Sequence, residues 1–201
     1  MSFTWKRTIK ARVMEAFGVL IVLAVALLAN MYVRLGEIAG AQEHLDRVHT
    51  LAQEAERLRL AVLDMQTAIA NAALSRDREM MGRGAQADYE RALGASAHLA
   101  ELERRFAGGA PSALGAVGAD LEQMYRVGER MVAAYARGWD PGEKAAAEYN
   151  AIRVAVLGVV DGGMEDLDQL YAEGSAALSQ STRGLRMTLL GSVAAILLAG
   201  V

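Results

Sequence analysis

The sequence predicts an all-α fold: an antiparallel up-down-up-down four-helix bundle whose long first and last helices are continuous with transmembrane helices. Three observations predict it. The 201 residues are 53% hydrophobic but only 5% aromatic, with 2 prolines, and much Ala, Leu, Glu, Arg and Met with few aromatics is the composition of long helices rather than sheets. An apolar run lies near each end of the chain. Between the runs, apolar residues return in alternating steps of three and four, the seven-residue repeat of packed helices.

The first apolar run covers residues 16–33, which carry no charge. At 1.5 Å rise per residue it reaches roughly 27 Å, about the hydrocarbon thickness of a bilayer. Lys6, Arg7, Lys10 and Arg12 precede it, and cations gather on the cytoplasmic side. Residues 1–12 are therefore expected in the cytoplasm and residues 13–33 across the membrane, with Phe3 and Trp5 at headgroup level. A cleaved signal peptide also has a basic start. Here, however, Leu28-Ala29-Asn30-Met31-Tyr32 runs into a helical pattern without a small-x-small cleavage site, so the reading is an uncleaved anchor.

The second run, residues 187–201, is uncharged but shorter than the ~20 residues a span needs. It reads as the start of a second span in a truncated chain. Arg183 and Arg186 then lie on the outer side, against the charge rule. Hydrophobicity drives insertion, and the first helix usually sets orientation.

Residues 34–186 read as four helices divided by three breaks: Met81-Gly82-Arg83-Gly84, Gly108-Gly109-Ala110-Pro111 and Gly138-Trp139-Asp140-Pro141-Gly142. Glycine costs backbone entropy in a helix and proline lacks the N–H. The third break is also a start signal, with Asp140 as cap, Pro141 at the first helical position and Glu143 completing a capping box. Helix one carries Leu51, Ala55, Leu58, Val62, Met65, Ile69 and Ala72 at heptad spacing. Helix four does the same with Leu157, Val160, Met164, Leu167 and Tyr171, then Gly174, Leu178, Ser181 and Leu185. Helices two (85–107) and three (112–137) are shorter, and short connections make successive helices antiparallel. Helices one and four would each be roughly 60 Å long.

The seams also mark a candidate site. Four residues beyond Ala72 stands Arg76, and stepping back from Leu157 gives Arg153 and then Asn150, with Tyr149 beside it. By helix rise, Arg153 is level with Gln66 to Asn71. Gln66, Asn71, Arg76, Tyr149, Asn150 and Arg153 are therefore the candidate ligand-binding residues. Cations and amides set there could hold a small anionic or zwitterionic molecule through charge-assisted hydrogen bonds. The same pattern arises where a bundle frays at its tip and the side chains are solvated. Trp139 is expected as a lid over the core, with a ligand platform as the alternative. Gly162-Gly163 marks a flexible point or a close helix approach, or equally a place where the helix frays or merely tolerates glycine.

Other functions find little support. A net charge of −3 without a basic, aromatic-bearing stripe speaks against nucleic acid. Zero cysteines exclude disulfides, thiolate metal sites and a cysteine nucleophile. His44 and His49 are five apart and do not share a helix face, so with His98 they are surface histidines and no metal is expected. Glu101, Glu103, Arg104 and Arg105 are a solvated face. Phosphate loops, zinc-helix motifs, nucleophile elbows and di-iron motifs are all missing, so neither catalysis nor a cofactor is expected.

Ile9-Lys10-Ala11-Arg12-Val13-Met14-Glu15-Ala16-Phe17-Gly18, leading into the apolar run, resembles the start of methyl-accepting chemotaxis proteins. The order of span, long helix, two shorter helices, long helix and span is similar to their periplasmic sensor half. Ala134-Tyr135-Ala136-Arg137-Gly138-Trp139 is similar to their turn between the third and fourth helices. The resemblance implies a chemotaxis receptor in the bacterial inner membrane, and a homodimer binding a small extracytoplasmic ligand or a periplasmic binding protein. It implies a signal carried by sliding of the last helix, and cytoplasmic partners reached through a C-terminal region not in this chain. Sensor histidine kinases and diguanylate cyclases use similar input modules, and a non-sensing scaffolding bundle would share the heptads. Amino-acid receptors of this class carry an arginine trio on the first helix. Arg57, Arg59, Arg76 and Arg78 do not reproduce its spacing, so an amino-acid ligand is not implied.

Overall fold

The computed structural model describes the backbone of residues 3–107 and 113–199, and the side chains of residues 14–106 (without Ala16) and 113–194. The basic and aromatic side chains before Met14, the Gly108–Pro111 break and the end of the second apolar run lie outside the described side chains. The described residues are helical almost throughout and contain no strand, so the all-α class holds. In chain order the helices are α1 (Phe3–Ser75), α2 (Arg78–Met80), a π-helical turn (Met81–Ala85), α3 (Gln86–Ala107), α4 (Ala113–Ala116), α5 (Gly118–Arg137) and α6 (Trp139–Ala199).

Two compact units divide the chain. One comprises Met1–Leu45 and Glu173–Val201, the other Asp46–Ala172. In the first unit, half-buried positions recur at heptad spacing: 27, 31, 34, 38, 41 and 45 on α1, and 174, 178, 181, 185, 188 and 192 on α6. Here α1 includes an 18-residue stretch of mean hydropathy 2.1, none of it buried, and is long and apolar enough to cross a membrane. Val22 and Leu28 are 69% and 67% exposed. Large uncovered apolar surface of this kind is unusual on a water-soluble helix and ordinary on one that meets lipid.

The second unit holds the core, to which α1, α3, α5 and α6 all contribute. Helix-one seam residues Ala55, Leu58, Val62, Met65, Ile69 and Ala72 are completely buried. On α6, Val156 and Val160 are buried and Leu157 and Met164 pack against the core, whereas Tyr171 is exposed, a departure from the expected seam. Side-chain contacts join the helices of this unit. Asp64 meets Arg91 while Ala68 lies beside Gly84; Tyr89 stacks on Tyr125 while Ser96 bonds Leu114; Arg59 pairs with Asp161 and Arg130 with Glu148. The α4 turn is seated tightly, because a Cβ on Gly163 would come within 2.3 Å of Leu114. Gly162 faces open space. The glycine pair therefore contains one close helix approach and one position without constraint.

The breaks depart from expectation. The first falls at Arg76, not at the glycines. Arg76 is left-handed (φ 56°), its N–H bonds Ala73 O at 3.3 Å, and Asp77 N–H bonds Ala72 O at 3.1 Å. This paired 5→2 and 6→1 pattern ends α1 as a Schellman motif. Asp77 then caps the next turn, accepting from the Glu79 and Met80 N–H groups at 2.8 and 3.3 Å. With a cap already in place, Gly82 and Gly84 are absorbed into the wide helical turn instead of stopping the chain. The third break shrinks to Gly138, whose N–H bonds the Ala134 and Tyr135 carbonyls. α6 begins at Trp139, and the expected capping box does not form: Glu143 accepts a hydrogen bond from the Tyr135 hydroxyl at 3.1 Å. Helix three is also interrupted, at Val117 between α4 and α5.

Candidate functional site

A cavity of about 330 Å³ opens in the second unit among α1, α5 and α6. α1 brings Gln66 and, just past its end, Arg76; α6 brings Tyr149, Asn150 and Arg153. These are five of the six residues singled out from the sequence. The sixth, Asn71, lines a separate surface hollow with Asp64, Thr67, Arg83 and Asp88 and takes no part in this cavity. The physical reason is angular: Gln66 shares the inward face of α1 with Met65 and Ile69, whereas Asn71 is exposed.

Apart from Trp139, which the sequence had suggested as a lid or a platform, the rest of the wall was missed by sequence reasoning. It is apolar and aromatic: Ala70, Ala73 and Leu74 from α1, Met131 and Tyr135 from α5, and Trp139 from α6. Trp139 is 59% exposed and packs edge-on against Tyr135 with ring centroids 5.5 Å apart, so it borders the cavity and does not seal the core. The signal available in the sequence was the Tyr135/Trp139 pair, four apart on either side of Gly138.

Three of the lining residues carry a buried polar atom without a hydrogen-bond partner among the described residues: Gln66 Nε2, Tyr149 Oη and Arg153 Nε. Gln66 is 9% exposed and Tyr149 5%. A buried donor left unmatched costs about 1–3 kcal/mol, so three in one place is a concentrated departure from the usual pairing. Neither Arg76 nor Arg153 forms an ion pair among the described residues, and the wall holds no carboxylate. Several arginines outside the cavity are matched, Arg57 with Glu54 at 2.5 Å, Arg59 with Asp161 at 2.9 Å and Arg105 with Glu101 at 2.8 Å, whereas the exposed Arg78, Arg137, Arg183 and Arg186 have no ion pair among the described residues.

Burial pushes the Tyr149 phenol well above its ordinary value, and the nearby Arg153 charge opposes that shift without cancelling it. Tyr149 thus remains a hydroxyl donor across the physiological range. Burial and the bond to Glu143 also raise Tyr135. Chemically the cavity offers donors, positive charge and an apolar wall, but no nucleophile–base pair. Among the described residues no cluster of three or more histidine or acidic side chains could hold a metal ion.

No protein-family model, curated protein or solved structure matches the chain.

Proposed function

We propose that the chain is the input module of a transmembrane sensory receptor, similar in plan to the sensor half of a methyl-accepting chemotaxis protein. In this reading the second unit is an up-down-up-down four-helix bundle outside the bacterial inner membrane. α1 anchors it, a second copy completes a dimer, and α6 carries the signal inward to an output region. The opposed contact directions of α1 with α3, α3 with α5, and α5 with α6 support the antiparallel bundle.

The observation that carries the sensory reading is one cavity joining five candidate residues, with three unmatched buried polar groups on its wall. A bundle serving only as a scaffold has no use for unsatisfied donors in its interior. α6 supplies Tyr149, Asn150 and Arg153 to the cavity and runs on as one helix to Ala199, so a bound molecule touches the element that leads away from the site. Binding can bias two packings of α6 only through different affinity for each. A displacement of ~1–2 Å is typical of such helices.

The absence of native cysteine makes the topology directly testable. In intact cells with a permeabilised outer membrane, Leu170→Cys should react with a membrane-impermeant maleimide, and Ser2→Cys should react only after lysis. Protection of both until lysis would place the second unit in the cytoplasm and end the receptor reading.

A further inference from the structure

From the cavity wall we infer its ligand class: a small monocarboxylate on a compact aryl or hydrocarbon body. The inference rests on the sensory reading above and narrows it. The lining residues Gln66, Arg153 and Tyr149 each carry a buried donor (Nε2, Nε and the hydroxyl) that lacks an acceptor among the described residues and that a rotation of the side chain would turn toward the cavity. Arg76 and Arg153 add two positive charges that no described side chain neutralises. A carboxylate supplies several acceptor lone pairs and a negative charge, and charge-assisted bonds of this type are the strong ones.

The remainder of the wall decides between anions. Ala70, Ala73, Leu74 and Met131, with the rings of Tyr135 and Trp139, offer nothing to the outer oxygens of inorganic phosphate, but they bury an apolar body well. No wall residue is acidic, so an ammonium group would meet only like charge. That disfavours zwitterionic amino acids. At about 330 Å³ the volume is at the low end for ligand sites, suited to a single ring and too small for a peptide.

Arg76 allows recognition to be separated from folding. It occupies a left-handed conformation that glycine adopts without steric cost, at a helix end where glycine is favoured. Arg76→Gly thus removes the guanidinium while leaving the turn intact. Trp139 is the reporter, because it borders the cavity and the other of the 2 tryptophans can be removed as Trp5→Phe.

The experiment titrates the full Trp5→Phe chain in lipid nanodiscs with benzoate, benzamide, phenylglycine and inorganic phosphate, following Trp139 fluorescence and the melting temperature. The inference expects saturable benzoate binding, with benzamide, phenylglycine and phosphate each at least about tenfold weaker. It also expects Arg76→Gly to lose about tenfold or more in benzoate affinity without a lower melting temperature. Equal binding of benzamide would overturn it in favour of a neutral apolar site. Tighter phosphate or phenylglycine binding would overturn it in favour of an inorganic or zwitterionic ligand. No saturable signal from any probe would overturn the ligand class, while outward labelling of Leu170→Cys on the same chain would leave the receptor reading standing.

Discussion

The two ends of the α1–α6 pairing within the second unit are built by opposite rules. Around Leu58, Val62, Val156 and Val160 the side chains are fully buried and apolar, and the nearest charges, Arg59 and Asp161, pair with each other at the surface. About one to three turns further along the same helices, Gln66, Tyr149 and Arg153 bury polar atoms with no partner among the described residues, beside Arg76 in a left-handed turn. The first end satisfies its own chemistry. The second holds back donors and backbone strain, which is how binding sites differ from the scaffold that supports them. On the proposed function, stability and recognition are divided along one helix pair and should respond to mutation with opposite sign.

The largest expected effect comes from the packed end. Leu58→Ala should destabilise the second unit by about 2–5 kcal/mol, because a fully buried leucine leaves a cavity that cannot collapse. Gln66→Leu, two turns away, should be neutral or stabilising, since it replaces an unmatched amide with a side chain of similar volume. Chemical denaturation of the pair gives both numbers. Equal losses would erase the distinction between the two ends.

A smaller effect sharpens the comparison inside the packed end. Gly162→Ala should stabilise by up to about 1 kcal/mol, because alanine is the better helix former and its Cβ would meet nothing. Gly163→Ala gains the same propensity but forces Leu114 aside, and should end about 1–3 kcal/mol less stable than Gly162→Ala. Similar stability for the two would mean that α4 is not seated against Gly163.

Much of this was legible in the sequence. The heptad of helix one gave the buried face from Ala55 to Ala72, with Leu51 only half-buried, and extending each seam led to five of the cavity's lining residues. Asn71 failed because level along the axis does not fix direction around it. The expected break at Met81–Gly84 failed because an arginine in a left-handed cap has no sequence signature, and Asp77 supplied the cap where glycines had seemed the stronger stop. The aromatic wall was hidden because Tyr135 and Trp139 come together only through the single-residue turn at Gly138. The helix long and apolar enough to cross a membrane was read from an unbroken apolar run, a local property. The missing partners of Gln66, Tyr149 and Arg153 are a property of the whole arrangement and are visible only in three dimensions.

The most direct test of the central claim is Tyr149→Phe in the full chain, measured twice: melting of the ligand-free protein and affinity for benzoate. The account predicts opposite signs. Removing a buried hydroxyl without a partner should leave the fold as stable or up to about 1–3 kcal/mol more stable, while benzoate binding weakens severalfold. The gain should grow above pH about 10, because the raised Tyr149 value makes the wild-type fold lose stability as the unfolded phenol ionises first. A less stable protein with unchanged benzoate affinity would contradict the account, because Tyr149 would then be a structural residue and the cavity no more than a packing defect.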